Sequence, residues 1–194
     1  MINLMIPTWG KACGIAEYTK SLKQGLELCG ASVTVNSPHL RGGSIRHLQH
    51  EYSLFPSISS ICQLADTTHQ VGGRCVIPLH SVMRYPQEHR QMAEAMDAVI
   101  VHHRLVAELA GLPDAMVMPM GCDPPFTSLI EEQQAVRKRF DLEAFQPLIA
   151  SFGFLRSQKG YLELIEAMRG LRSRSPRMGL VIVAPEHAFG EQYE

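Results

Sequence analysis

The sequence predicts an α/β protein: a doubly wound parallel sheet, then the first strand–helix–strand unit of a second such sheet. Three observations carry this. Short apolar, β-branched runs alternate with segments of helical periodicity along most of the 194 residues, as strands joined by crossover helices do. Several runs are apolar throughout, the mark of strands buried on both faces. The segment Ile149–Leu171 (IASFGFLRSQKGYLELIEAMRGL) repeats the pattern once more, from apolar strand through glycine turn and basic loop to amphipathic helix.

Taken in order, Ile2–Pro7 is the first strand and Thr8–Gly14 a loop. Ile15, Tyr18, Leu22, Leu26 and Cys29 then fall at helical spacing, and Gly30 ends that helix near its C-cap. Ser32–Asn36 and Ile45–Tyr52 are the next strands. A helix over Ser57–Gln70 stops at Gly72 and Gly73. Arg74–Leu79 is a buried strand that delivers His80 at its C-terminal end. Pro86 suits the first turn of a helix over Gln87–Met96. Asp97–His102 is a strand, Arg104–Ala110 a short helix and Ala115–Met120 a strand. The turn-rich GCDPPF (121–126) closes the first sheet. Residues 127–147 are a charged, helical linker. Residues 148–194 form an incomplete second domain, because its two strands are too few to cover both faces of a parallel sheet.

Composition narrows the function. Hydrophobic residues make up 45% and charged residues 19%, an ordinary globular balance. Net charge is −1, so no global field draws the chain to nucleic acid, and no nucleic-acid partner is expected. The basic stretch Arg169, Arg172, Arg174 and Arg177 reads as a solvated helix end, with room for a peripheral membrane contact. The 5 cysteines are scattered without a CxxC pair, which fits a reducing, cytoplasmic setting and no zinc ribbon. No apolar run is long enough to span a bilayer. The nine histidines show no metal-ligand spacing, and HLQHE is not a zincin motif.

Two places have the right chemistry for a ligand. A helix start carries unpaired N–H groups and partial positive charge, so Arg156 and Lys159 beside the Gly153 turn make a diphosphate cradle. Lysine supplies a point charge and arginine a planar fork. His80 stands at the end of a buried strand, where ligands of open parallel sheets bind.

The segments CGIAEYTKSL (13–22), HLQHEY (47–52), IPLHS (77–81), DAVIVHHRLVAEL (97–109), MPMGCD (118–123) and FGFLRSQKGYLELIEAM (152–168) together resemble the retaining glycosyltransferases of family 4, which have the two-Rossmann-domain GT-B architecture. They occur in the family's order across nearly the whole chain. The resemblance implies an acceptor-side domain over 1–126 and a nucleotide-sugar domain over 148–194, with reaction in the cleft between them. The donor would be a nucleotide-diphosphate sugar and the acceptor a glycan or lipid, with no metal required. It places Gly14 in a loop that approaches the donor diphosphate and His80 beside the transferred sugar. His50 and Glu51 are read as touching an acceptor hydroxyl. Phe154 departs from the family, where arginine commonly follows the turn glycine, and Arg156 stands in from two residues on. The family's later paired-glutamate motif is not found. Glu186 and Glu194 lack its glycine-rich surroundings and are read as a coincidence. The 194 residues alone are therefore expected to turn over little, unless another chain completes the second sheet. The alternatives are a non-catalytic binding subunit descended from the transferases, or another GT-B enzyme such as a sugar-nucleotide epimerase.

Overall fold

The computed structural model describes residues 1–82, 86–121 and 129–185. The chain divides into two compact units, Met1–Gly121 and Cys122–Glu194. In the first, six strands form one sheet: β1 (Ile2–Met5), β2 (Val33–Val35), β3 (Ile45–Leu48), β4 (Arg74–Leu79), β5 (Ala98–Val101) and β6 (Met116–Val117). Their order is β2-β1-β3-β4-β5-β6, and every pairing is parallel. The crossovers are α1 (Gly14–Leu28), α2 (Ile58–Gln70), α3 (Pro86–Ala95) and α4 (Arg104–Ala110). The expected doubly wound α/β sheet is thus present. Right-handed crossovers put helices on opposite faces once the strand order reverses. Two separate buried clusters result. Leu48, Ile61, Ala65, Ile77, Leu79, Met92 and Val101 fill one, and Ile6, Cys13 and Ala16 the other.

Local chemistry fixes several ends. Ser57 caps α2 by accepting the Ser60 N–H at 3.2 Å, and Gly111 ends α4 in the left-handed region at φ 68°. Asn36 holds the end of β1 in place. Its side chain accepts from the Ile6 N–H and donates to the Ile6 carbonyl, both at 2.8 Å.

Four expectations are corrected. The third strand stops at Leu48 rather than Tyr52, and beyond it His50 makes only an isolated bridge to Leu79. The chain then folds into a turn, closed by the Leu54 N–H on the Glu51 carbonyl at 2.9 Å. The strand expected over Ala115–Met120 is two residues long, at the sheet edge with both side chains exposed. On α1 the fully buried positions are the small Ala16 and Thr19, whereas Cys29 is exposed. Small residues there let the helix sit close to the sheet.

The second unit holds α5 (Leu129–Arg139), β7 (Leu148–Phe152), α6 (Tyr161–Arg172) and β8 (Gly179–Val183). β7 and β8 pair in parallel, from Leu148 against Gly179 to Phe152 against Val183. Gly179 is there because the ring of Phe145 comes close, 2.7 Å from where a Cβ would lie. A two-stranded sheet leaves apolar groups open, and Phe152 is 87% and Val183 60% exposed. The fourth correction falls here. Arg156 and Lys159 do not begin the helix. They flank a 3-10 turn, Ser157–Lys159, and α6 starts only after Gly160, at φ 70°. Gly121 ends the described part of the first unit, so most of GCDPPF lies outside the described residues, as do Glu186 and Glu194.

Candidate functional site

The strand order reverses between β1 and β3. In open α/β sheets this reversal leaves a crevice beyond the carboxyl ends of the strands. Four successive strands here each hand a polar group to that edge: Thr8 after β1, His50 after β3, Ser81 after β4 and His102 after β5. Each has a buried side-chain polar atom with no hydrogen-bond partner: Thr8 Oγ1, both ring nitrogens of His50, Ser81 Oγ and His102 Nε2. Buried polar atoms are normally paired. Arg46 Nε and His89 Nδ1 of this unit are unpaired as well, but these five atoms stand on four adjacent strand ends, a place that water or a ligand completes.

His80 lies among them. Its backbone N–H reaches the His50 carbonyl at 3.3 Å, and its Nε2 is 2.9 Å from Gln49 Oε1. The Gln49 amide nitrogen is in turn 3.1 Å from His47 Nδ1. Tyr18 of α1 meets His80 edge-on, with ring centroids 4.7 Å apart, and the ring of His102 is 5.2 Å away. His102 Nδ1 is 3.0 Å from the Met118 carbonyl. Burial drives His47, His50 and His80 to a pKa of about 4. All three are neutral imidazoles at pH 7. Burial also raises the Tyr18 phenol. The cluster can therefore exchange hydrogen bonds with hydroxyls but offers no fixed positive charge. Among the described residues, no three of His, Cys, Asp and Glu are arranged to hold a metal ion.

The other expected residues of this unit are placed as follows. His50 is 0% exposed, stacked on Phe55 and edge-on to Tyr52. It borders a cavity of ≈ 340 Å³ that Tyr52, Phe55, Ser57, Glu88 and Gln91 also line. The Glu51 carboxylate accepts from the Ser53 N–H at 2.9 Å and from the Ser53 hydroxyl, so it braces its own turn. Gly14 is the first residue of α1, behind Cys13 in extended backbone. In the loop before it the glycine with positive φ is Gly10, at 77°.

In the second unit Gly153 follows β7 at φ 142°, a region that side chains rarely adopt. A Cβ there would lie 3.1 Å from the Tyr161 hydroxyl and 3.9 Å from Lys159 Cε. Gly153, Lys159 and Tyr161 are thus neighbours, and the buried Tyr161 hydroxyl has no partner. Arg156 precedes the 3-10 turn and is half-buried. Gly153→Val is expected to destabilise this turn by about 1–3 kcal/mol through backbone strain, seen as a lower urea midpoint. An unchanged midpoint would refute the strained geometry.

Sequence reasoning named His80 but missed its surroundings. His47 and Gln49 from β3 and its end, His102 from the end of β5 and Tyr18 from α1 are three elements that only the strand order brings together. The one signal available was the density of histidines at the ends of apolar runs.

Two solved structures share this chain path. An alpha-glucosyltransferase in complex with UDP and a 13-mer DNA containing a HMU base matches over 97% of this chain and 68% of its own, at TM-score 0.50 and 11% identity. An alpha-glucosyltransferase in complex with UDP and a 13-mer DNA containing a central A:G mismatch matches over 93% and 55%, at TM-score 0.53 and 12% identity. The fold is glycosyltransferase-like. At such identities the likeness speaks for the fold alone, and the chain spans 68% and 55% of the two neighbours. No protein-family model matches the sequence, and neither does a curated protein. One expectation is overturned. Nucleic acid had been excluded on net charge, yet both structural neighbours hold DNA. A near-neutral total says little about local contacts, which individual side chains make. No described helix is long and apolar enough to cross a membrane.

Proposed function

We propose that the chain serves retaining sugar transfer, from a nucleotide-diphosphate sugar to a glycan or lipid acceptor. The first unit would serve the acceptor side and the second the donor. The observation that carries this reading is the row of unpartnered polar atoms beyond β1, β3, β4 and β5. Together with the neutral His80, it suits a ligand rich in hydroxyls. The Gly153 turn with Lys159 beside it supports a diphosphate contact, since a glycine lets phosphate oxygens approach the backbone.

Because the second unit leaves Phe152 and Val183 open, the 194 residues by themselves are expected to bind donor but turn it over slowly or not at all. Calorimetry with UDP- and GDP-sugars tests the donor half, and binding heat with one of them is expected. No heat with either would refute the reading. Transfer of labelled sugar to glycan, lipid and duplex DNA acceptors, each tried separately, then identifies the acceptor class. Rapid turnover by the pure chain would overturn the expectation of low activity.

A further inference from the structure

The hydrogen-bond chain through His80, Gln49 and His47 has a direction. The Gln49 side chain is wholly buried, so no bulk water competes for its amide. Its Oε1 can only accept and its Nε2 only donate. In this orientation of the amide, with Oε1 at 2.9 Å from His80 Nε2, that ring nitrogen carries the hydrogen. With the amide nitrogen at 3.1 Å from His47 Nδ1, that nitrogen must be bare. His80 is a neutral imidazole holding a single hydrogen, so its Nδ1 is unprotonated. Among the described residues nothing hydrogen-bonds to that Nδ1. His102 is held through its other ring nitrogen: Nδ1 donates to the Met118 carbonyl at 3.0 Å, and the buried Nε2 has no partner.

The groups around His80 are Tyr18 from α1, His47 and His50 from β3 and the turn after it, and His102 from the end of β5. Burial keeps His47, His50 and the Tyr18 phenol uncharged at neutral pH. A bare ring nitrogen accepts a hydrogen from a hydroxyl and repels the lone pairs of an oxyanion. We propose that Gln49 is a positioning residue: it locks His80 as the Nε2–H tautomer, so Nδ1 receives a hydroxyl hydrogen and the site selects an uncharged hydroxylated group over an anion. This rests on the sugar-transfer reading for the identity of that group, but the tautomer itself does not.

Imidazole ¹⁵N spectra of the 194-residue chain at neutral pH test the lock directly. His80 is expected to show a protonated Nε2 and an unprotonated Nδ1. Gln49→Leu should convert His80 to a mixture of both tautomers. Gln49→Glu, which can accept from both rings, should keep His80 as Nε2–H and move the His47 hydrogen onto Nδ1. If Gln49→Leu fails to fold, that switch at His47 decides alone. A His80 with its hydrogen on Nδ1, or one that ignores both substitutions, overturns the lock. Titration with methyl glucoside should shift the Nδ1 resonance, whereas inorganic phosphate should not. A shift with phosphate, or with neither probe, overturns the selection. Failure of the nucleotide-sugar calorimetry would leave the tautomer result standing, so the two ideas fail separately.

Discussion

Acidifying the protein from about pH 7.5 to about 4.5 is expected to remove several kcal/mol of stability from the first unit. His47, His50 and His80 are each held near pKa 4 by burial, whereas an unfolded histidine titrates near 6.5. Above that value both states are neutral and the groups cost nothing. As pH falls from about 6.5 toward about 4, the unfolded chain takes up protons that the folded one refuses, so stability drops. Below about 4 this contribution levels off. A shift of this size is worth up to about 3 kcal/mol per histidine. The rings are neighbours, so the three do not simply add. Even one or two such terms are large against a total of about 5–15 kcal/mol. Urea unfolding at a series of pH values reads this directly. A midpoint that holds steady across the window would show that the imidazoles are not buried as described. His50→Phe should flatten the curve by removing one of the three.

Reversing one charge in the second unit should have the largest effect on donor binding. Lys159 is exposed at the end of the 3-10 turn and lies beside Gly153. A charge-assisted hydrogen bond to phosphate is worth about 1.5–3 kcal/mol. On the proposed donor role, Lys159→Glu is therefore expected to weaken binding of whichever nucleotide-diphosphate sugar gives heat in the calorimetry about tenfold to a hundredfold, and to reduce its salt dependence. Its melting temperature should hardly move, because an exposed side chain contributes little to packing. Equal affinity for that nucleotide sugar in the variant and the parent would remove Lys159 from the proposed donor contact. Arg156→Ala is the less clean companion, since that side chain is half-buried and also bonded within the unit.

The elements legible to the residue were those with sharp chemical ends. Arg74–Leu79 begins after two glycines. Arg104–Ala110 has a histidine cap and a glycine stop. Errors came where alternation outlasted pairing. The alternation through Leu48 and His50 runs on, but past Leu48 only the single bridge of His50 to Leu79 remains before the chain turns; that of Met116, Met118 and Met120 outruns β5, which ends at Val101 opposite Val117. The position of the 3-10 turn was hidden for another reason. Gly160 in the left-handed region restarts the helix, and a single glycine does not reveal its φ. The candidate site was half visible. A strand end can be read from one segment, but the meeting of His80 with Gln49, His102 and Tyr18 depends on which strands lie side by side.

The polar edge beyond β1, β3, β4 and β5 also decides what kind of discrimination this surface can achieve. A hydrophobic recess rejects an analogue by size, and weakly. An edge furnished with several unmet donors and acceptors punishes any visitor that lacks a matching group, since each atom it fails to satisfy keeps its desolvation cost. Deoxy analogues should accordingly be refused more firmly than bulkier ones.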